Sequence, residues 1–360
     1  MCGCLVVTLS LYADIAYRVF SCFFLLKLTQ WAVSIVMIRG FWNTITKPIF
    51  CLAPMVDVTD AAFRRIIAAH GKPDVVWTEF VSADGLCSVG RERLMHHLWF
   101  DQSERPIVAQ FFTSRPEHMR AAAQLAVSLG FDGIDINMGC PDRGVEKQGA
   151  GAALIKNPAL ARDIILAAQE GAGDIPVSVK TRIGYFHDEL SSWLPALLAA
   201  APAAITLHAR TRQELSDVPA HWDAISRAVR IRNEFDSSDS HTLILGNGDV
   251  SSLADARARV QETGADGVMI GRGIFGNPWF FSSSQRREDV SIPARLRVML
   301  EHTRLFEELF SGLKNFDVMK KHYKAYVSGF PGAVELRVRL MAARNASEVE
   351  RVLRDVDGCV

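Results

Sequence analysis

Residues 243–273 read LILGNGDVSSLADARARVQETGADGVMIGRG. A short apolar run ends in Gly-Asn-Gly at 246–248, a stretch long enough for one helix follows, and a second apolar run, GVMIG at 267–271, leads into Arg272 and Gly273. Strand, crossover and parallel strand is the natural reading of such a unit. Six runs of the same kind precede it: IFCLAP at 49–54, VVWTEF at 75–80, IVAQFF at 107–112, GIDIN at 133–137, VSVKT at 177–181 and AITLHA at 204–209. Between them lie helical stretches such as DAAFRRIIAAHG, with Asp60 placed as an N-cap and Gly71 as a C-terminal stop. Eight strands with helical crossovers make the count of an α/β fold of one kind, the closed (β/α)8 or TIM barrel of ~250 residues. A doubly wound open sheet is the competitor. It is disfavoured because no GxGxxG follows the first strand and because polar residues recur at the carboxyl ends of the strands, which in a barrel all face one mouth.

The barrel is expected over residues 46–290. Beyond Pro293 the strand pattern stops, and MLEHTRLFEELF and the 314–326 stretch carry apolar residues at helical spacing. A small all-α domain is therefore expected over 291–360. Ahead of the barrel, residues 1–45 form an apolar extension. Between Leu5 and Ile38 it is interrupted by Asp14, Arg18 and Lys27, so no run reaches the ~20 residues a spanning helix prefers. A membrane anchor, an atypical targeting piece and a start codon assigned too early all remain open. The last is favoured, with translation beginning at Met37, since MIRGFWNTITKPIF reads as an ordinary lead-in to a first strand.

With 360 residues, 49% hydrophobic and 22% charged, the chain can bury a full core, which excludes disordered and collagen-like classes. Lysine plus arginine equals aspartate plus glutamate at 40 each, so a nucleic-acid surface must be a local patch. The seven cysteines, at 2, 4, 22, 51, 87, 140 and 359, show no paired zinc-ligand spacing, and no metal is expected. Their odd, scattered number suggests a reducing compartment.

The strand ends carry the chemistry. Pro54 and Met55, Glu79, Gln110, Asn137 and Cys140, Lys180 and Arg182, His208 and Arg210, Asn247 to Asp249, and Gly271 with Arg272 fall at successive carboxyl ends. In a barrel these groups line one pocket. The glycines after the last two strands let a backbone approach a ligand closely, and phosphate sites in such barrels form there, with Arg272 adding charge; taken singly each glycine is explained by a tight turn, but their joint placement favours a phosphate. Lys180 sits among apolar residues in VSVKT, and a buried lysine needs a partner. A flavin ring, which gains negative charge along one edge on reduction, is one candidate, and a neighbouring carboxylate is the other. Cys140 lies in a loop between strand and glycine-rich segment, where catalytic groups gather, although a buried cysteine is more often inert packing.

In order along the chain, APMVDVTDAAFR, NMGCP with QGAGAAL, VSVKTRIG, LHARTR, GNGDV and GVMIGRG resemble the bacterial tRNA-dihydrouridine synthases. The likeness runs from about Cys51 to Phe280 and is weaker after residue 290. It implies an FMN-binding barrel followed by a helical tRNA-binding domain. It further implies that Pro54, Met55 and Val56 contact the isoalloxazine, that Gln110 and Lys180 bond its polar edge, and that His208 lies near it. Asn247, Gly248, Asp249, Gly271 and Arg272 would hold the ribityl chain and phosphate. Cys140 matches the family's proton donor, and Asn137, Arg182 and Arg210 are placed to meet the substrate.

The activity implied is reduction of the C5–C6 double bond of uridines in tRNA, with NADPH or NADH as reductant. A thiol with an ordinary pKa of ~8.5 is protonated at pH 7 and can serve as the acid. No Rossmann fingerprint is needed if nicotinamide and tRNA visit the same flavin in turn. For RNA the tail offers Lys314, Lys320, Lys321, Lys324, Arg337, Arg339 and Arg344, with Tyr323 and Tyr326 interleaved, although a solvated helix face would look the same. A cytoplasmic monomer without stable membrane association is expected. The rivals are an FMN barrel acting on a free pyrimidine, such as a dihydroorotate dehydrogenase, which the basic tail argues against, and a non-catalytic RNA-binding barrel. The 233–240 segment reads as an acidic surface insertion outside the site.

Overall fold

The computed structural model describes residues 40–235 and 242–356. The apolar stretch Leu5–Ile38, the start at Met37, and residues 236–240 of the acidic insertion lie outside the described residues. Asn233 to Phe235, read as part of that insertion, are the last turn of the helix Trp222–Phe235.

Eight strands form where the apolar runs fall: β1 Ile49–Leu52, β2 Val76–Ser82, β3 Ile107–Phe112, β4 Gly133–Met138, β5 Val177–Arg182, β6 Ala204–His208, β7 Leu243–Asn247 and β8 Gly267–Ile270. All pair in parallel in the order β1-β8-β7-β6-β5-β4-β3-β2. The ring closes where Cys51 bridges to Val75, with Leu52 N–H on the Val75 carbonyl at 3.1 Å and Asp74 N–H on the Phe50 carbonyl at 2.9 Å. Asp60 caps the helix Ala61–His70 by accepting the Phe63 N–H at 3.0 Å, and Gly71 ends it.

Strand periodicity sorts the side chains. Ile134, Ile136, Val177, Val179, Ile205, Leu207, Ile244 and Val268 pack outward in the core shared with the helices. Ile49, Cys51, Trp77, Val108, Leu243, Leu245 and Met269 fill the barrel interior, with Trp42 packed against them. The same alternation puts Gln110, Asn137, Lys180, His208 and Asn247 on interior positions at the carboxyl end. Gly246 faces outward, where a Cβ would lie 2.4 Å from the Trp222 ring, so only glycine lets that helix sit against β7.

Helices Ile292–Phe310, Val318–Tyr326, Ala333–Ala342 and Ala346–Leu353 follow β8. They build a second apolar cluster that docks on Ala61, Ala62 and Ile66 of the first barrel helix. Tyr323 and Tyr326, expected among RNA contacts, are 0% and 1% exposed and belong to this cluster. Their helix turns its aromatic stripe inward because it is covered on that face. Among the described residues no helix is long and apolar enough to cross a membrane.

Candidate active site

A cavity of about 210 Å³ opens at the carboxyl ends of the strands. It gathers Pro54, Met55, Lys180, His208, Asn247, Gly248, Asp249, Gly271 and Arg272, together with Arg210. Val56 stands 44% exposed on the loop after β1, while Gln110 lies fully buried in the barrel wall, outside the cavity lining.

Positive charge dominates this mouth. The ammonium of Lys180 is 3.3 Å from the Asn247 side-chain oxygen, whose amide nitrogen donates to the Met269 carbonyl at 2.8 Å. Burial, reinforced by the nearby Arg182 guanidinium, draws the Lys180 pKa down to about 8. Burial also holds His208 well below its ordinary value, as do the charges of Arg182, Lys180, Arg210 and Arg272, so the imidazole is neutral. Asp249 opposes these cations. Burial works against its charge, but the Ala220 N–H at 2.9 Å and the guanidinium groups of Arg210 and Arg272 keep its carboxyl below the usual range. The Arg272 side chain is 64% exposed and touches Asp249 through one nitrogen at 3.1 Å, which leaves further donors toward the mouth. Gly248 adopts φ +135°, a conformation that excludes most side chains, and a Cβ on Gly271 would meet nothing closer than 3.8 Å. Backbone and guanidinium thus surround an open, anion-seeking end of the cavity.

The wall on the β3–β5 side is a hydrogen-bonded chain. Asp135 accepts from Ser178 at 2.5 Å and from the Gln110 amide at 2.6 Å, and the Gln110 carbonyl accepts from Asn137 at 3.2 Å. Burial pushes Asp135 up to about 6. The Asn137 oxygen takes the N–H groups of Gly139 and Cys140 at 3.1 and 2.9 Å, an Asx turn that shapes the loop carrying Cys140. Arg182 donates to the carbonyls of Gly139, Thr211 and Leu215 at 2.9, 3.0 and 3.0 Å. Cys140 is partly buried beside Phe80, Phe112, Val145 and Ala150. Burial is the main reason its thiol titrates above the ordinary value, so it carries its proton at neutral pH.

A family model described as dihydrouridine synthase (Dus) matches residues 51–357. The chain belongs to the dihydrouridine synthase family. It is 38% identical over 324 residues to the probable tRNA-dihydrouridine synthase 2 of Bacillus subtilis (strain 168), a match covering 89% of this chain and 98% of that one. It is also 38% identical over 328 residues to the probable tRNA-dihydrouridine synthase of Staphylococcus aureus (strain COL), covering 89% and 97%. Among solved structures, histamine dehydrogenase from Rhizobium sp. 4-9 is similar in fold, with a TM-score of 0.51 and 14% identity over 74% of this chain and 50% of that one.

In this Dus-family chain the three residues expected to meet the substrate spend polar groups inside the protein. Asn137 and Arg182 brace the Cys140 loop, and Arg210 donates to the Val218 carbonyl at 2.6 Å and pairs with Asp249. Lys314, offered as an RNA contact, is only 6% exposed and bonds Glu79 at 2.8 Å. In the tail Lys320 pairs with Asp317, Arg339 pairs with Asp355, and Arg337 donates to the Val327 carbonyl, whereas Lys321, Lys324 and Arg344 lie on the surface. Ser216 also lines the cavity, and a lone serine in a polar loop offers no sequence signal. Among the described residues no three His, Cys, Asp or Glu side chains are grouped to hold a metal.

Proposed function

We propose that the protein is a tRNA-dihydrouridine synthase, reducing the C5–C6 double bond of uridines in tRNA with FMN as its flavin, NADPH or NADH as reductant and Cys140 as proton donor. The observation that carries the reading is the cationic cavity after β7 and β8, with the protonated Cys140 thiol outside its lining but within the field of Lys180 and Arg182. The donor set suits FMN. Arg272 and the open backbone at Gly248 and Gly271 fit a phosphate, Asp249 and Asn247 the ribityl hydroxyls, and Lys180 the polar edge of the ring. Gln110 supports that edge from the wall. Pro54, Met55 and Val56 offer an apolar rim on one side, and neutral His208 adds no competing charge.

A bound flavin would supply hydride to uracil carbon 6. The remaining work falls to the chain. Cys140 holds the proton due at carbon 5, and its thiolate is the base left after transfer. Asn137 and Arg182 fix the loop that carries the thiol, and Lys180 contributes positive charge where negative charge develops. The surface cations Lys321, Lys324 and Arg344 are candidates for phosphate contacts. The same reading makes this a cytoplasmic enzyme working as a monomer.

Full-length protein should purify yellow, oxidise NADPH faster when unmodified tRNA is added, and leave dihydrouridine detectable by nucleoside mass spectrometry. A colourless protein, or a flavoprotein indifferent to tRNA that reduces a free pyrimidine, would overturn the reading.

A further inference from the structure

We propose that Lys314 is a positioning residue for the reaction, acting through Glu79 to hold the turn that carries Met55 and Val56 at the rim of the cavity. The inference rests on the proposed function for its catalytic consequence, but not for its structural one. Lys314 lies between helices Ile292–Phe310 and Val318–Tyr326, and its N–H returns to the Phe310 carbonyl at 3.0 Å. Its side chain folds over the Phe310 ring, 5.0 Å from the centroid, and enters the barrel's upper edge. There the ammonium bonds one Glu79 oxygen at 2.8 Å and stands 3.7 Å from Asp60.

Glu79 is 1% exposed in the middle of β2, which runs on to Ser82 beyond the end expected from the sequence. The oxygen that meets Lys314 also meets His97 Nδ1 at 3.1 Å, and the other accepts the Asp57 N–H at 2.5 Å. Asp57 has φ +54°, a left-handed conformation that aspartate tolerates better than most residues and that the bond to Glu79 helps to hold. Around it the Met55 carbonyl accepts from Val58 and Thr59 at 3.1 and 3.0 Å, and the Thr59 hydroxyl accepts the Met55 N–H at 2.9 Å. One carboxylate therefore ties the helical tail, the His97 segment and the cavity rim together. A shift of the tail on docking RNA would be felt at Met55 and Val56.

The electrostatics agree. Burial disfavours a charged Glu79, but His97 and Lys314 hold it down to about 2. Asp60, buried and close to the Glu79 charge, is pushed up to about 6 even with Lys314 and Arg64 nearby. The groups facing this pair are Lys314 from the tail, His96 and His97 from the 95–98 turn, Arg64 from the first helix, and the Asp57 and Phe63 N–H groups. Removing the Lys314 charge raises both carboxyl pKa values, so each protonates at higher pH as acid is added.

The test uses full-length Lys314→Met, with Lys314→Arg and Glu79→Gln as companions. In flavin-free protein, hydrogen exchange by mass spectrometry should show the 53–60 peptide exchanging at least ~10-fold faster in Lys314→Met. In the loaded enzyme, kcat for dihydrouridine formation should fall ~10-fold with KM for tRNA little changed. The acid limb of its pH profile should move up from the wild-type position. Lys314→Arg should restore most of both, and Glu79→Gln should share the kcat loss without the moved limb. Unchanged exchange at 53–60, or a change in KM alone, overturns the proposal and makes Lys314 an RNA contact or plain packing. If Lys314→Met does not fold, exchange in Glu79→Gln decides. Wild-type protein that makes no dihydrouridine sinks the proposed function instead and leaves the exchange comparison standing.

Discussion

The side-chain oxygen of Asn137 accepts the backbone N–H of Cys140 at 2.9 Å, while its amide nitrogen reaches Gln110 at 3.2 Å. One interior residue of β4 thus joins the barrel wall to the loop that carries the thiol. Asn137→Ala should loosen that loop and lower dihydrouridine formation by ~10- to 100-fold, since small misplacements of a reacting group cost that much. Reduction of the flavin by NADPH should change little. Stopped-flow traces of the two half-reactions check the split.

The Cys140 thiol titrates above its ordinary value because it is buried. An acid must be protonated to act, so the uridine-reducing half-reaction should hold through neutral pH and fall on the alkaline side, first as Lys180, drawn down to about 8, loses its charge and then as the thiol ionises. Cys140→Ser, with a far less acidic hydroxyl, should be slow throughout. Single-turnover rates against pH measure both.

Arg272 is exposed at the open end of the cavity, tied to Asp249 at 3.1 Å. A lost charge-assisted hydrogen bond is worth ~1.5–3 kcal/mol, so Arg272→Ala should weaken FMN binding by roughly 10- to 100-fold. Riboflavin, which lacks the phosphate, should bind both proteins alike. Fluorescence titrations of the two flavins separate a phosphate contact from a general loss of shape.

How much of this was legible beforehand depended on the range of the interaction. Gln110, Asn137, Lys180, His208 and Asn247 sit at strand ends on interior positions, and a period of two is a local property any strand displays. The fate of Lys314 was not legible. In the chain it looks like one more solvated cation of a basic tail, and its partner Glu79 is 235 residues away. Tyr323 and Tyr326 misled for a related reason: helical spacing marks an apolar face but not whether protein or RNA covers it. Arg210 was found as a residue of the mouth, yet its engagement with Asp249 and Val218 depends on how neighbouring loops close.

Beneath the rim, Arg64 and Glu104 form a fully buried pair at 2.6 Å, and Arg64 also donates to the Thr59 and Trp99 carbonyls. Glu104→Ala would strand a buried guanidinium and should cost about 3–5 kcal/mol of stability. Thermal unfolding of the flavin-free protein would show it as a clear drop in Tm.

The most direct test of the central claim is a single turnover. Wild-type protein and Cys140→Ala, each carrying pre-reduced FMN, are mixed anaerobically with unmodified tRNA, and dihydrouridine is counted against flavin reoxidised. The account predicts one dihydrouridine per flavin for the wild type and almost none for Cys140→Ala, whose flavin nonetheless reduces normally. Equal dihydrouridine from both proteins would remove Cys140 from the chemistry, and none from either would contradict the assignment of tRNA uridine as the substrate.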